Sequence, residues 1–259
     1  MGDRSLVRIA ICIGITVAAA AMVFVGMRAA KGCDDPLWYA AIGNAPSVFL
    51  AVALVACGRL RRSGITAPSK LGALPLLWLP VLHLLYVLRF VGPGEMRMVL
   101  GIVVHSILLA FWEEAIFRGV ILDTLLPGGT VRATTMSALL FGLLHLMRVL
   151  DGIPVSDAVL LVAFSFSFGV LAAGLRLRLG SLWPVILWHA ALDISLGLPP
   201  GPMTSILPAV GGLPVELYLF AVTFLAYGLF LSGWRKRTML ILLGGTSVLL
   251  ASLVVADLF

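Results

Sequence analysis

The sequence is short of charge. Asp, Glu, Lys and Arg supply only 12% of its 259 residues, while 61% are apolar and the mean hydropathy is +1.12. A soluble domain carries about twice that charge, so a soluble globular protein is excluded and a polytopic membrane protein is indicated. Cysteine is scarce too. Cys12, Cys33 and Cys57 form no CxxC or metal-ligand spacing, which excludes a disulfide framework. There is no internal repeat, no low-complexity tract, no soluble domain and no HExxH motif. Nor does the net charge of +6 point to nucleic acid, because the basic residues are scattered over short loops, where they set topology.

What is present is a succession of apolar runs. Spans of about 20 residues are expected over 7–27, 38–57, 71–90, 98–126, 133–150, 156–175, 181–198, 213–232 and 238–256, so the fold class is an all-α polytopic bundle of about eight to nine transmembrane helices. The first run is too long for a signal peptide and lacks a clean small-residue cleavage site. With the N-terminus inside, Arg4, Arg8, Arg59, Arg61, Arg62, Lys70, Arg132, Arg176, Arg178, Arg235, Lys236 and Arg237 fall on the inner side. Only Arg28, Lys31, Arg89, Arg97 and Arg148 fall on the outer side. That asymmetry favours a cytoplasmic N-terminus and an outward C-terminus.

Against this background the intramembrane polar residues stand out: Glu113, Glu114, Arg118, Asp123, His145, His189 and Asp193, with His83 and His105 besides and Glu216 near an outer helix end. A charge at the centre of a spanning helix costs about 2.5–3.5 kcal/mol, so such residues face the protein interior and mark either a functional site or a structural ion pair. Glu114 and Arg118, at i and i+4, share a helix face and pair. Glu113 points about 100° away, a buried carboxyl beside a like charge, in a setting that suits a general acid or base. His189 and Asp193 repeat the i, i+4 spacing. Phe141…His145 alone fits a packing histidine as well as a catalyst. Helix arithmetic puts Glu113 and His189 near mid-membrane and His145 nearer the outer end, so one cavity opening to the outer half of the bilayer serves them all. His83 and His105 are expected to pack, and Asp123 to be interfacial.

Glu113-Glu114…Arg118, Phe141…His145 and His189…Asp193, in this order on three apolar helices, resemble the EExxxR, FxxxH and HxxxN/D signatures of the CPBP family, the CAAX-processing and bacteriocin-processing intramembrane endopeptidases also called Abi. The resemblance covers 98–198 as a catalytic core, flanked by N-terminal helices over 1–97 and C-terminal helices over 199–259, all one integral membrane domain. It implies an intramembrane catalytic chamber and peptide-bond hydrolysis without a covalent enzyme intermediate. Glu113 with His145 would activate a water, Glu114 would be held by Arg118, His189 and Asp193 would stabilise the oxyanion, and Phe141 would support the site.

The resemblance further implies a protein or peptide substrate reaching the site laterally from the bilayer, as a CaaX-like terminus, a leader peptide or a C-terminal sorting segment. Short loops and the Ala, Leu and Arg bias fit a prokaryotic cell membrane. No metal or other cofactor is expected, although zinc on Glu113, His145 and His189 is the competing chemistry. A non-catalytic immunity or scaffold protein and a proton-coupled carrier are the competing functions.

Overall fold

The computed structural model describes residues 3–57, 64–68, 70–201, 209–210, 213–234, 241 and 244–248. Among them are eight helices: α1 Asp3–Ala30, α2 Pro36–Ala56, α3 Leu71–Leu88, α4 Met96–Gly128, α5 Thr130–Leu150, α6 Val155–Leu179, α7 Trp183–Gly197 and α8 Val215–Leu231. Six of these, α1 to α6, are long and apolar enough to cross a membrane. The other two are apolar but have only 15 and 17 residues, below the roughly 20 that a bilayer core needs. The expected count of eight to nine spanning helices therefore exceeds the six that meet the length condition. Of the expected span 238–256 only 241 and 244–248 are described, all helical. Arg59, Arg61, Arg62, Arg235, Lys236 and Arg237, together with the Glu216 side chain, lie outside the described residues. The only strand pairing of named strands among the described residues is a tiny antiparallel hairpin, β1 Ala209–Val210 with β2 Leu213–Pro214.

Local chemistry sets the helix ends. The Asp35 carboxylate accepts from the backbone N–H groups of Leu37 and Trp38 and starts α2. Glu95 does the same for α4 through Arg97 and Met98. Such a cap satisfies orphan donors at a helix start and is worth about 1 kcal/mol. The first turns of α3, Leu71–Leu77, are a 3-10 helix containing Pro75, which has no N–H for an i−4 carbonyl. Gly180, at φ +71°, closes α6 in the left-handed conformation.

Packing runs α1 on α2, α2 on α4, α4 on α7, α5 on α6, α6 on α8. The α6–α8 crossing is so close that a Cβ on Gly228 would lie 2.5 Å from the Leu171 backbone nitrogen. The loop before α4 is tied to the end of α7 by Gly92 N–H to Pro199 O and Gly201 N–H to Phe90 O. The pattern is inverted relative to a soluble protein. Val17, Phe49 and Leu187 stand on the outside, whereas Glu113, Glu114, Arg118 and His189 are buried, as lipid solvent requires.

His83 sits in an aromatic enclosure of Phe220, Phe224, Phe164 and Trp188, in agreement with the packing role expected for it.

Candidate active site

The site begins with an irregularity in α4. Its α-helical part ends at Glu114, and Ala115–Ile121 is π-helical. Leu122 N–H then bonds to Phe117 O, five residues back, and the same carbonyl accepts the Ser137 hydroxyl of α5 at 2.7 Å. Such π turns recur at functional sites. Here the turn starts immediately after the glutamate pair and carries Arg118.

Arg118 is fully buried. Its Nη1 donates to Glu114 Oε1 at 3.0 Å, which is the i, i+4 pairing expected from sequence. Its guanidinium lies 4.0 Å from the centre of the Phe141 ring. A desolvated contact of this kind is worth about 2 kcal/mol. Room for the guanidinium comes from Gly169 of α6, where a Cβ would stand 2.8 Å from Arg118 Nη2. Sequence reasoning missed Gly169, since nothing in a run of small residues distinguishes one glycine from another.

From α7, His189 reaches both glutamates. Its Nδ1 donates to Glu114 Oε1 at 2.8 Å, because a carboxylate can only accept. Its Nε2 stands 3.6 Å from Glu113 Oε2 and 3.5 Å from Asp193 Oδ2. Those separations suit ion pairs but exceed a good hydrogen bond. Glu114 is thus held from two helices, by Arg118 and by His189.

His145 is oriented by a change of helix type. The α-helical part of α5 ends at Leu144, and His145–Asp151 is a 3-10 helix. The His145 backbone N–H turns to Gly142 O, so Phe141 O loses its i+4 backbone donor. The imidazole takes the place, with Nδ1 3.0 Å from Phe141 O. A carbonyl only accepts, so Nδ1 carries the hydrogen, and Nε2 of the neutral ring is an acceptor. The FxxxH spacing therefore works through the phenylalanine's backbone as well as its ring, which packs edge-on to His145 with centroids 4.8 Å apart.

Glu113 and His145 line one cavity of about 570 Å³ between α1, α2, α4 and α5. His189 and Asp193 do not line it, although His189 Nε2 is within 3.6 Å of Glu113 Oε2. Asp123 lies beyond the π turn, away from the cluster. His105, expected to pack, lines the cavity instead and bonds through Nδ1 to Asn44 Nδ2 at 3.0 Å.

The zinc alternative fits this arrangement poorly. Among the described residues no group of three or more His, Cys, Asp or Glu is placed to hold a metal ion. Glu114 already has a cationic partner in Arg118.

Residues 95–195 match the family model described as type II CAAX prenyl endopeptidase Rce1-like, which is the CAAX-protease family that the motifs resemble. The matched segment runs from the cap of α4 into α7 and contains every motif residue named above. No curated protein matches the chain.

Proposed function

We propose that the segment 95–195, with its type II CAAX prenyl endopeptidase Rce1-like character, makes this chain an intramembrane endopeptidase that cuts a peptide bond with a water activated by Glu113 and His145. The observation that carries the reading is the meeting of two complementary groups in one cavity: the Glu113 carboxyl and an imidazole whose acceptor nitrogen is set free by the Nδ1–Phe141 O bond. A water held between them would lose a proton to one as it attacked a carbonyl, and that proton would pass to the leaving amine. His189 supports the step in two ways. Through Nδ1 it fixes Glu114. Through Nε2–H, near Glu113 but at no hydrogen-bond distance from it, it is a donor for the oxyanion that forms at the attacked carbonyl, with Asp193 balancing its charge. Arg118 and Phe141 hold the frame.

The substrate in this reading is a protein or peptide whose C-terminal or membrane-proximal segment comes in laterally from the bilayer. The setting is a multi-pass protein of a prokaryotic cell membrane with a cytoplasmic N-terminus, and neither metal nor nucleic acid takes part. Residues 1–97 and 199–259 supply flanking helices of the same domain.

The test is Glu113→Gln, which is nearly isosteric. Membranes carrying the native chain should hydrolyse peptide substrates, and membranes carrying the variant, at equal expression, should not. Unchanged hydrolysis by the variant would remove Glu113 from the reaction. Loss of solute uptake with no proteolysis in either sample would favour a carrier.

A further inference from the structure

Packing accounts for the faces of the His83 ring but not for its nitrogens. His83 is wholly buried, and among the described residues neither Nδ1 nor Nε2 has a hydrogen-bond partner. A neutral imidazole carries one N–H and one bare nitrogen. Its neighbours serve the two unequally. The rings of Phe220 and Phe224 lie 4.5 and 4.9 Å from it between centroids. An aromatic face can take a weak N–H···π contact, but a phenyl ring has no polar hydrogen to give a bare nitrogen. The one indole among the neighbours, Trp188, stands 6.3 Å away and leaves its own Nε1 unpaired. The partner that His83 lacks is therefore a donor, and a buried acceptor without one costs stability.

His83 also lines a cavity of about 370 Å³ between α3, α6, α7 and α8. This cavity shares no lining residue with the one that Glu113 lines. Apart from His83, its polar lining residues are Asp157 and Tyr218. Phe164, with its ring 6.2 Å from that of His83, lies seven residues along α6 from Asp157, about 10 Å at 1.5 Å per residue. The His83 end is thus remote from Asp157 and walled by apolar side chains such as Phe164 and Leu192. Leu196, which lines the cavity too, is 65% exposed, so the space is open sideways to lipid. A water on His83 would lack the two to four polar partners that hold a buried water. A lipid tail brings no donor, and an ion brings a charge among apolar walls. A hydroxyl on an apolar chain meets both demands, and the space is well above the about 150 Å³ that holds a benzene. We propose that this cavity binds a neutral long-chain alcohol, with the hydroxyl donating to the bare nitrogen of His83 and the chain running past Leu192 and Leu196 into the bilayer. α7 presents Leu192 to this site and His189 to the glutamates, so the alcohol and the glutamate cluster meet opposite needs of one helix, and the site stands whether or not the chain cuts peptides.

The protein has four histidines, so ¹⁵N-labelled histidine reads the ring directly. The full chain in phosphatidylcholine nanodiscs is titrated with decanol, with its methyl ether or with decane. Decanol should shift one imidazole signal saturably, and that signal should be the one missing from His83→Phe. The ether and decane carry no donor and should bind about fivefold more weakly, the worth of one hydrogen bond. In the variants, affinity is read from the ligand-dependent rise in unfolding temperature. His83→Phe keeps an aromatic ring without nitrogens, so decanol and its ether should bind it alike. Ala163→Leu fills the cavity from an exposed position and leaves His83 in place; it should weaken decanol and decane together. Equal binding of decanol and its ether by the native protein is the result of a histidine that only packs, and it would overturn the proposal. So would a decanol preference that survives His83→Phe, or decanol binding unchanged in Ala163→Leu.

Discussion

His189 makes its hydrogen bond to the glutamate that does not line the cavity: Nδ1 is 2.8 Å from Glu114 Oε1, whereas Nε2 stands 3.6 Å from Glu113 Oε2. One carboxylate oxygen, Glu114 Oε1, consequently joins α4 to itself through Arg118 and to α7 through His189. That leaves Glu113 beside the cavity without a hydrogen-bonded partner among the described residues, close to a donor that is not yet committed.

Glu113, His145 and His189 should behave as one unit. Residues that act in one step are strongly non-additive when removed. Glu113→Gln, His145→Ala and His189→Ala should each cost about 10²–10⁴-fold in peptidase rate, and any double variant should cost little more. Losses that multiply across the doubles would argue for separate roles.

Arg118→Ala should act first on stability. It would leave Glu114 buried without its cation, and breaking a buried pair in this way costs about 3–5 kcal/mol. Arg118→Lys should recover part of the loss, because it restores the charge but not the flat stack on Phe141. Thermal unfolding in detergent reads both. A fully stable Arg118→Ala protein would dispose of the pairing.

Gly169→Ala should reproduce a milder version of the same defect from a neighbouring helix. The added methyl would stand 2.8 Å from Arg118 Nη2 and 3.0 Å from Ala138 Cβ, and overpacking of this kind costs about 1–3 kcal/mol. Gly14→Ala, with nothing within 4 Å of its new Cβ, is the control. Equal melting temperatures for the two variants would show that Arg118 has room to spare.

Activity should be indifferent to strong chelators and to added zinc. Among the described residues no group of three or more His, Cys, Asp or Glu is placed to hold a metal ion, and Arg118 already supplies a counter-charge to the carboxylate pair. Stoichiometric zinc by elemental analysis, with rate following occupancy, would reverse the assignment.

Outside the bilayer, Asp35 ties the start of α2 to Arg97 at the start of α4. The Arg97 hydrogen bond, seconded by the Trp38 backbone N–H, holds the Asp35 carboxyl below the usual carboxylate range. A depressed folded value means that the contribution is complete above the unfolded value of about 3.9 and disappears as pH falls through the folded one. Asp35→Asn keeps a capping side chain but loses the charge. Its melting temperature should lie below the native one near neutrality and converge with it in strong acid. A gap independent of pH would assign the effect to the cap alone.

The parts of the site that were legible in the sequence are those written within one helix. Glu114–Arg118 and His189–Asp193 follow from a spacing of four, and Phe141–His145 turns out to obey the same spacing through a backbone carbonyl. The membrane character follows from the apolar runs, although α7 and α8 are shorter than their runs suggested because Gly197 and the hairpin before Val215 bound them. Contacts made between helices were not legible. His189 and Glu114 are 75 positions apart, and Asn44 and His105 are 61 apart. A signal for the second pair did exist: a lone amide in the apolar run 38–57 must find buried partners, and a histidine is one of few groups able to supply one. The π turn leaves no trace in hydropathy at all, since Ala115–Ile121 reads like any other apolar stretch around one arginine.

That turn also gives α4 a spare residue. An i→i+5 turn holds one more residue than an i→i+4 turn, so a single deletion within 119–121, after Arg118, can be absorbed by reverting to ordinary α-helix. The residues after it would keep their direction relative to the glutamate pair, instead of rotating by about 100° as they would in a regular α-helix, and the Leu122–Phe117 bond that marks the turn would be lost. A deletion of the same size in 105–112 has no such slack and would swing Glu113 off the cavity. The helix thus divides into a rigid half, whose length is set by the chemistry, and an elastic half, in which length can drift while the charged face stays in place.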